Sequence, residues 1–169
     1  GSIIHKILEE LVPLLCNSEN EKDSEYIKSL INELLAKHLS RIAHTDIERI
    51  PKRFVYLYNR LSRLLYEISQ NIVNELKVSK FKPCDFELDI SFEGSIKPDP
   101  IPLENGRNLY IIGQIDRVDT YTKDGAVYVR ITDYKTGKKT FKLKEIEKGL
   151  NLQMLLYLAA ITKCGKDKY

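Results

Sequence analysis

A two-residue turn signal, Asp124-Gly125, lies between two segments in which apolar and polar side chains alternate. Asp-Gly is typical of a type I′ turn, and alternation at period two is typical of a half-buried strand. The sequence therefore predicts a β-hairpin over about 108–122 and 126–136. A one-residue slip would move every side chain to the opposite face, so the position of the turn fixes the pairing of the two strands.

The pairs that this register creates support it. Asp119 falls opposite Arg130, and Tyr121 falls opposite Tyr128. Opposite charges and aromatic rings are both favourable cross-strand partners. On the other face, the register pairs Val118 with Ile131 and Thr120 with Val129.

The same register places two carboxylates, those of Asp116 and Asp133, directly opposite each other. Opposed Cβ atoms are roughly 4.5–5.5 Å apart, and like charges at that distance destabilise a sheet. A divalent metal ion shared by both is the simplest reason to keep them, and Mg²⁺ or Mn²⁺ prefers such oxygen ligands. Lys135 leaves the same face as Asp133, where an ammonium can stabilise charge that develops on a phosphate. The alternative is a solvated strand end that binds nothing.

Composition sets the class of protein. A chain of 169 residues with 43% apolar and 30% charged residues is typical of one globular domain. A net charge of +3 permits nucleic acid as a partner but does not require it. No apolar run approaches the roughly 20 residues of a membrane span, so we expect no membrane association. The three cysteines are scattered without metal spacing, which favours a reducing, cytoplasmic location.

The chain divides into a helical half and a mixed half. Apolar spacing predicts helices over about 3–15, 25–43 and 52–78, a strand over 86–92, a loop over 98–106, the hairpin, and a closing helix over 144–163. This order predicts an α+β or mixed α/β domain, with helices flanking a small central sheet. We expect residues 1–169 to form a single domain, with a helical part over 1–80 and the sheet and closing helix over 81–169.

Four segments together resemble the PD-(D/E)XK nucleases in their RecB-like branch, and most closely the C-terminal nuclease domain of AddB-type helicase–nuclease subunits. The two hairpin segments are Gly113-Gln114-Ile115-Asp116-Arg117-Val118-Asp119 and Ile131-Thr132-Asp133-Tyr134-Lys135-Thr136-Gly137. Gly1-Ser2-Ile3-Ile4-His5 resembles the opening helix motif, and Gln153-Met154-Leu155-Leu156-Tyr157 resembles the closing one. They occur in the family's order and span nearly the whole chain.

The resemblance implies a restriction-endonuclease-like core and a role for each matching residue. The implied metal ligands are Asp116, Asp133, His5 and the backbone carbonyl of Tyr134. The implied catalytic residues are Asp116, Asp133 and Lys135. Gln153 and Tyr157 are expected to line the site and contact DNA. Glu87 is expected to be a supporting residue of the site. Ordinary roles remain open: a helix-boundary histidine at position 5, core packing by Tyr157, an ion pair for Lys135 and a solvated strand residue at Glu87.

The implied function is a metal-dependent DNA exonuclease domain that hydrolyses phosphodiester bonds with Mg²⁺ or Mn²⁺. It would belong to a helicase–nuclease of DNA repair and recombination, with a helicase subunit or domain as partner. We expect no iron–sulfur cluster within this chain, because no matching cysteine set flanks the motifs. We also expect the chain to stop before a final core strand, since the family core continues beyond the position of Tyr169.

Two other functions fit the same residues. One is a catalytically silent nucleic-acid-binding module of the same fold, which would bind DNA in a salt-sensitive manner without cleaving it. The other is an interaction domain whose acidic hairpin lies at a surface. The basic segment over 138–148 is compatible with phosphate binding and with a solvated face alike.

Overall fold

The computed structural model describes residues 3–17, 23–40, 52–135, 144, 146, 148, 152–166, 168 and 169. The chain divides into two compact units, Gly1–Lys80 and Phe81–Tyr169. The first is helical, and the second contains the strands.

The first unit consists of helices that pack on one another through aliphatic side chains. The helices are α1 (Ile3–Asn17), α2 (Ser24–Ser40) and α3 (Lys52–Val78). The fully buried side chains come from the predicted apolar stripes and include Ile7, Leu8, Leu11, Leu15, Ile27, Ile31, Leu35 and Leu65. The side chain of Asp23 accepts a 2.7 Å hydrogen bond from the Tyr26 N–H and so caps α2. The three predicted helices are confirmed over the described residues.

The second unit contains a three-stranded antiparallel sheet, a short two-stranded ladder and a helix at its end, and Lys144 and Ile146 are also helical. The strands and the helix are β1 (Lys82–Ile90), β2 (Ile101–Pro102), β3 (Asn108–Leu109), β4 (Gly113–Lys123), β5 (Ala126–Thr132) and α4 (Gln153–Cys164). The sheet order is β1-β4-β5, which makes β4 the central strand, and β2 pairs with β3. The core of this unit joins β1, β4 and α4 through Leu88, Ile90, Ile96, Ile115, Val118, Ala160 and Ile161.

The hairpin has the register that the sequence predicts. Asp119 pairs with Arg130 and Tyr121 pairs with Tyr128. The turn is a type I′ turn by its dihedral angles, because Asp124 has a φ of 52° and Gly125 a φ of 77°. The predicted extent of the second strand is too long, since β5 ends at Thr132 instead of near residue 136.

Strand β1 begins earlier than the alternation of its side chains predicts. It covers Lys82–Ile90, whereas the sequence predicts 86–92. Pairing with β4 shifts by one residue between Pro83 and Asp85, so a bulge interrupts the alternation at the start of the strand. After Ile90 the chain turns, and the Gly94 N–H donates to the Ser91 carbonyl at 3.1 Å.

Two further boundaries differ from the sequence prediction. The sequence predicts one closing helix over 144–163, whereas Lys144 and Ile146 are helical, Lys148 lies in a turn, and α4 begins at Gln153. The weak helix formers Gly149 and Asn151 separate these positions in the sequence. The predicted loop over 98–106 contains β2 and leads into β3. The predicted mixed α/β class is confirmed, and no helix among the described residues is both long and apolar enough to cross a membrane.

Candidate active site

Asp116 occupies the centre of the sheet. It lies on β4, between the buried residues Ile115 and Arg117, and its side chain is only 8% exposed. Its Oδ2 atom accepts a 2.6 Å hydrogen bond from the backbone N–H of Tyr134. Hydrogen bonds from backbone N–H groups to a carboxylate are among the stronger ones in proteins, so this bond ties the segment after β5 to the central strand.

Glu87 lies beside Asp116 on the neighbouring strand. Its neighbours Phe86 and Leu88 pair with Arg117 and Ile115, which places Glu87 opposite Asp116. One carboxylate oxygen of Glu87 lies within 4.8 Å of one of Asp116. Two carboxylates this close repel each other unless a cation lies near them.

The backbone of Glu87 is also unusual. Its φ of 47° lies in the left-handed region, which a residue with a long side chain rarely adopts. Such a conformation costs on the order of 1–3 kcal/mol and is concentrated at functional sites. In β1 it occurs at the residue that meets Asp116.

A second group of polar side chains is centred on Asp133. The Lys135 Nζ lies 2.6 Å from the Asp133 Oδ2. Gln153, the first residue of α4, donates from its Nε2 to the Asp133 Oδ1 at 3.3 Å and accepts from the Lys135 Nζ at 3.4 Å. The side-chain amide of Gln153 therefore forms hydrogen bonds with both the Asp133 carboxylate and the Lys135 ammonium.

Tyr157 extends this group along α4. The Gln153 Nε2 donates to the Tyr157 hydroxyl at 3.4 Å. The ring lies against Gly113 at the start of β4, where an added Cβ would be 2.5 Å from the hydroxyl oxygen. Only glycine leaves room for Tyr157 at this position, so the first residue of the hairpin motif and the closing helix motif fit together.

The opposite side of β4 carries charged residues in a buried cluster. Arg117 donates from Nε and Nη2 to the two carboxylate oxygens of Asp119, at 2.7 and 2.8 Å. Arg130 donates to the same carboxylate from β5, and the Arg117 Nη1 donates to the Tyr134 hydroxyl at 3.2 Å. We refer to Arg117, Asp119 and Arg130 as the buried arginine cluster.

The surroundings of this cluster shift the pKa values of Arg117 and of the neighbouring Tyr134. Burial alone would lower the pKa of Arg117, but the hydrogen bonds to Asp119 raise it above its ordinary value. Burial raises the pKa of the Tyr134 phenol, although the nearby Arg117 acts in the opposite direction. Arg117 therefore remains charged and Tyr134 remains a neutral phenol near physiological pH.

The structure thus brings most of the predicted site residues into the sheet unit. Asp116, Glu87 and the Tyr134 N–H form one group, and the adjacent residue Asp133 connects it with the second group. The predicted opposition of Asp116 and Asp133 continues the observed register by one residue, but regular pairing ends at Arg117 and Thr132. Asp116 is instead held by the backbone of Tyr134.

The remaining predicted residues belong to other parts of the chain. His5 is a half-buried residue of α1 in the helical unit. Most of the basic segment over 138–148 lies outside the described residues. Glu87 has only a supporting position in the sequence prediction, because its place opposite Asp116 depends on the pairing of β1 with β4, which no local signal in the sequence reports.

The comparison with known families agrees with this arrangement. The family model described as the PD-(D/E)XK nuclease superfamily matches residues 1–168. The chain belongs to this superfamily. Its mixed α/β architecture is consistent with the restriction-endonuclease-like fold of these nucleases, as the sequence predicts.

Several relatives of this nuclease chain are named as subunits of an ATP-dependent helicase/deoxyribonuclease. The protein of Clostridioides difficile is 34% identical and the alignment covers 99% of the chain. The protein of Caldanaerobacter subterraneus subsp. tengcongensis is 36% identical over 95% of the chain. The chain spans about 15% and 14% of these two relatives. The predicted relationship to helicase–nuclease subunits of this type is confirmed.

Nucleases of this superfamily generally use divalent metal ions, and the residues here fit such a group. In the sheet unit the clustered ligand atoms are carboxylate oxygens of Glu87 and Asp116, the donors that hard divalent cations prefer. Asp116 is buried on the central strand, so its position is fixed before any ion binds. Nothing in the donor set resembles a thiolate site for a softer metal.

Proposed function

We propose that this PD-(D/E)XK nuclease chain hydrolyses the phosphodiester bonds of DNA as an exonuclease that depends on Mg²⁺ or Mn²⁺. The observation that carries the proposal is the pairing of Lys135 with Asp133, at 2.6 Å, next to the residue that binds Asp116. Acidic metal ligands and a lysine are thereby held within one short segment and the strand beside it. This is the set of groups that phosphodiester hydrolysis needs.

We propose Asp116, Asp133 and the Tyr134 carbonyl as metal ligands, with Glu87 close enough to contribute. The family resemblance adds His5 as a further ligand. A bound divalent ion supplies an acidic water and neutralises charge on the phosphate. The rigid sheet holds Asp116, while the Tyr134 N–H orients its carboxylate.

Lys135 is proposed as the catalytic cation. Its side chain is 40% exposed, so the ammonium can reach a substrate phosphate while Asp133 holds it. Gln153 restricts the lysine further by accepting a hydrogen bond from Nζ. A cation held in place by two partners stabilises the charge that develops on the phosphate without reorganising during the reaction.

We propose that Gln153 and Tyr157 line the path of the DNA, because both lie on the face of α4 next to Lys135 and Asp133. We also propose that residues 1–169 act as one nuclease domain within a longer helicase–nuclease of DNA repair and recombination. A helicase subunit or domain would then be its partner, and the cytoplasm its location. The names of the relatives, which describe subunits of a helicase/deoxyribonuclease, support a place in a helicase–nuclease.

The test compares cleavage of linear DNA by the wild-type chain and by Asp133→Ala and Lys135→Ala. We expect Mg²⁺ or Mn²⁺ to be required and each variant to lose at least about 10²-fold in rate, since each removes transition-state stabilisation. Lys123→Ala is the matched control, because Lys123 is an exposed lysine at the far end of the same hairpin. It should leave the rate unchanged.

The outcomes separate the proposal from its alternatives. Equal activity in all of these proteins would refute the assignment of the site. Salt-sensitive DNA binding without cleavage under any metal would indicate the silent nucleic-acid-binding module. Cleavage of closed circular DNA at the same rate as linear DNA would contradict the exonuclease assignment. His5→Ala tests the additional ligand by its effect on the Mn²⁺ concentration required.

A further inference from the structure

The buried arginine cluster is costly to maintain. Arg117 and Asp119 are 1% and 0% exposed, and they lie on the side of β4 that faces away from Asp116. Removing charges from water costs free energy that pairing only partly restores, and apolar residues of similar size often give an equally stable interior. The presence of these charges is explained if they hold another group in place.

The cluster fixes the direction of one particular hydrogen bond. Arg117 donates hydrogen bonds from Nε and Nη2 to Asp119. Because the guanidinium is planar, these two bonds also fix the direction of its third nitrogen. That nitrogen, Nη1, donates to the Tyr134 hydroxyl at 3.2 Å. Asp119 is itself held by Arg130 of β5, which also covers the Phe81 ring at 4.9 Å from its centroid.

Tyr134 connects the two sides of the central strand. Its hydroxyl reaches Arg117 on one side, and its backbone N–H donates to Asp116 on the other. Regular pairing of β5 with β4 ends at Thr132, so the sheet ladder does not place the three residues that follow. The two hydrogen bonds of Tyr134 hold the middle residue of this segment, and Gln153 bonds the residues on either side of it.

We infer that Arg117, oriented by Asp119, is a positioning residue of the nuclease site. Arg117 donates a hydrogen bond to the Tyr134 hydroxyl. This bond fixes the position of the Tyr134 N–H relative to Asp116, and with it the positions of the two flanking residues, Asp133 and Lys135. The catalytic part of this inference rests on the proposed function, because it requires those residues to act in cleavage. The geometric part can be measured in the metal-free chain.

Tyr134→Phe tests the connection by removing a single oxygen atom. In the wild-type chain the hydroxyl links residue 134 to Arg117, and the variant loses this link while the backbone bond to Asp116 remains. We expect kcat to fall about tenfold, with KM within about twofold of wild type, because small misplacements of catalytic groups reduce the rate more than substrate binding. Tyr128→Phe is the control, since Tyr128 is a 51% exposed tyrosine on the same strand pair. It should leave both constants unchanged.

Nuclear magnetic resonance provides a readout that does not depend on activity. In the metal-free wild-type chain, we expect the amide proton of residue 134 to resonate downfield, because its bond to Asp116 is short and charge-assisted. Tyr134→Phe should shift this resonance upfield, and Tyr128→Phe should leave it in place. The temperature at which each variant unfolds is measured alongside.

Each outcome decides between positioning and simple packing. An upfield shift with reduced kcat in a folded Tyr134→Phe chain supports the inference. An unchanged amide resonance, or a kcat equal to that of Tyr128→Phe, would overturn it. Unfolding of Tyr134→Phe at the assay temperature would also overturn it, because the hydroxyl would then support the fold as a whole. If the wild-type chain cleaves no DNA but the amide shifts, the proposed function fails and the positioning stands.

Discussion

The two units of the chain are stabilised by different kinds of interior. In the helical unit the fully buried side chains are almost all aliphatic, and the buried Ser69 bonds to the carbonyl of Leu65 within its own helix. In the sheet unit the central strand buries Asp116, Arg117 and Asp119 within four consecutive positions. An aliphatic interior needs only apolar residues at the right spacing, whereas a charged interior needs a defined partner for every group. The helical unit therefore depends on the spacing of its apolar residues, and the sheet unit depends on the pairing of its buried charges.

The largest expected effect comes from breaking the charged interior. Asp119→Ala would leave the guanidinium of Arg117 buried without its carboxylate partner, and removal of one member of a buried pair destabilises a protein by about 3–5 kcal/mol. Because the chain contains no tryptophan, the free energy of unfolding is measured in urea by circular dichroism. Asp99→Ala, at an exposed position of the same unit, is the control and should change it by less than about 0.5 kcal/mol. A loss below about 1 kcal/mol for Asp119→Ala would contradict the description of this interior.

A somewhat smaller effect is expected in the aliphatic interior. Leu35→Ala on α2 would open a cavity at a fully buried position, which costs about 2–5 kcal/mol. Leu14→Ala on α1 removes the same atoms from a side chain that is 42% exposed, and we expect it to cost less than half as much. Both are measured by the same urea denaturation. Equal losses would show that burial does not determine stability in this unit.

The smallest effect concerns a surface ion pair of the helical unit. Hydrogen bonding to Lys37 lowers the pKa of Glu10, burial opposes this effect, and the contact with His38 adds to the lowering. A carboxylate whose folded pKa is lowered adds stability above its unfolded value of about 4.5, and this contribution disappears as pH falls through the folded pKa. The pair is largely solvated, so we expect less than about 1 kcal/mol.

Glu10→Gln should therefore reduce stability at neutral pH and have no effect once the wild-type carboxylate is protonated. Glu9→Gln, at the adjacent exposed position, is the control and should change stability little at any pH. Measuring the unfolding free energy from neutral pH down to below 4 tests both. A destabilisation by Glu10→Gln that persists at the lowest pH would rule out the ion pair as its cause.

Local signals predict the parts of the fold that depend on periodicity. The Asp124-Gly125 turn and the pairing of Asp119 with Arg130 give the hairpin register without any tertiary information. The helical stripes give the aliphatic interior of the first unit for the same reason, because a 3.6-residue period directly reports the buried face.

The site needs more than periodicity. The hydrogen bond from the Tyr134 N–H to Asp116 arises where β5 has already ended, so no strand pattern predicts it. The proximity of Glu87 depends on the pairing of β1 with β4 and on a left-handed backbone at that residue. The contacts of Gln153 with Asp133 and Lys135 likewise join residues that are distant in the sequence. These are tertiary contacts. The hairpin register indicates Asp116, Asp133 and Lys135, whereas only the family resemblance indicates Glu87, Tyr134 and Gln153.

We propose that the carboxylates of Asp116 and Asp133 bind the metal ion that DNA cleavage requires. A crystal structure of the chain grown with Mn²⁺ tests it most directly, because the anomalous signal of the metal identifies its position independently of the protein. We expect a Mn²⁺ ion bound by Asp116 and Asp133, and we expect this ion to be absent from Asp116→Asn crystals grown in the same way. Mn²⁺ bound at a different place in a chain that cleaves DNA would contradict it.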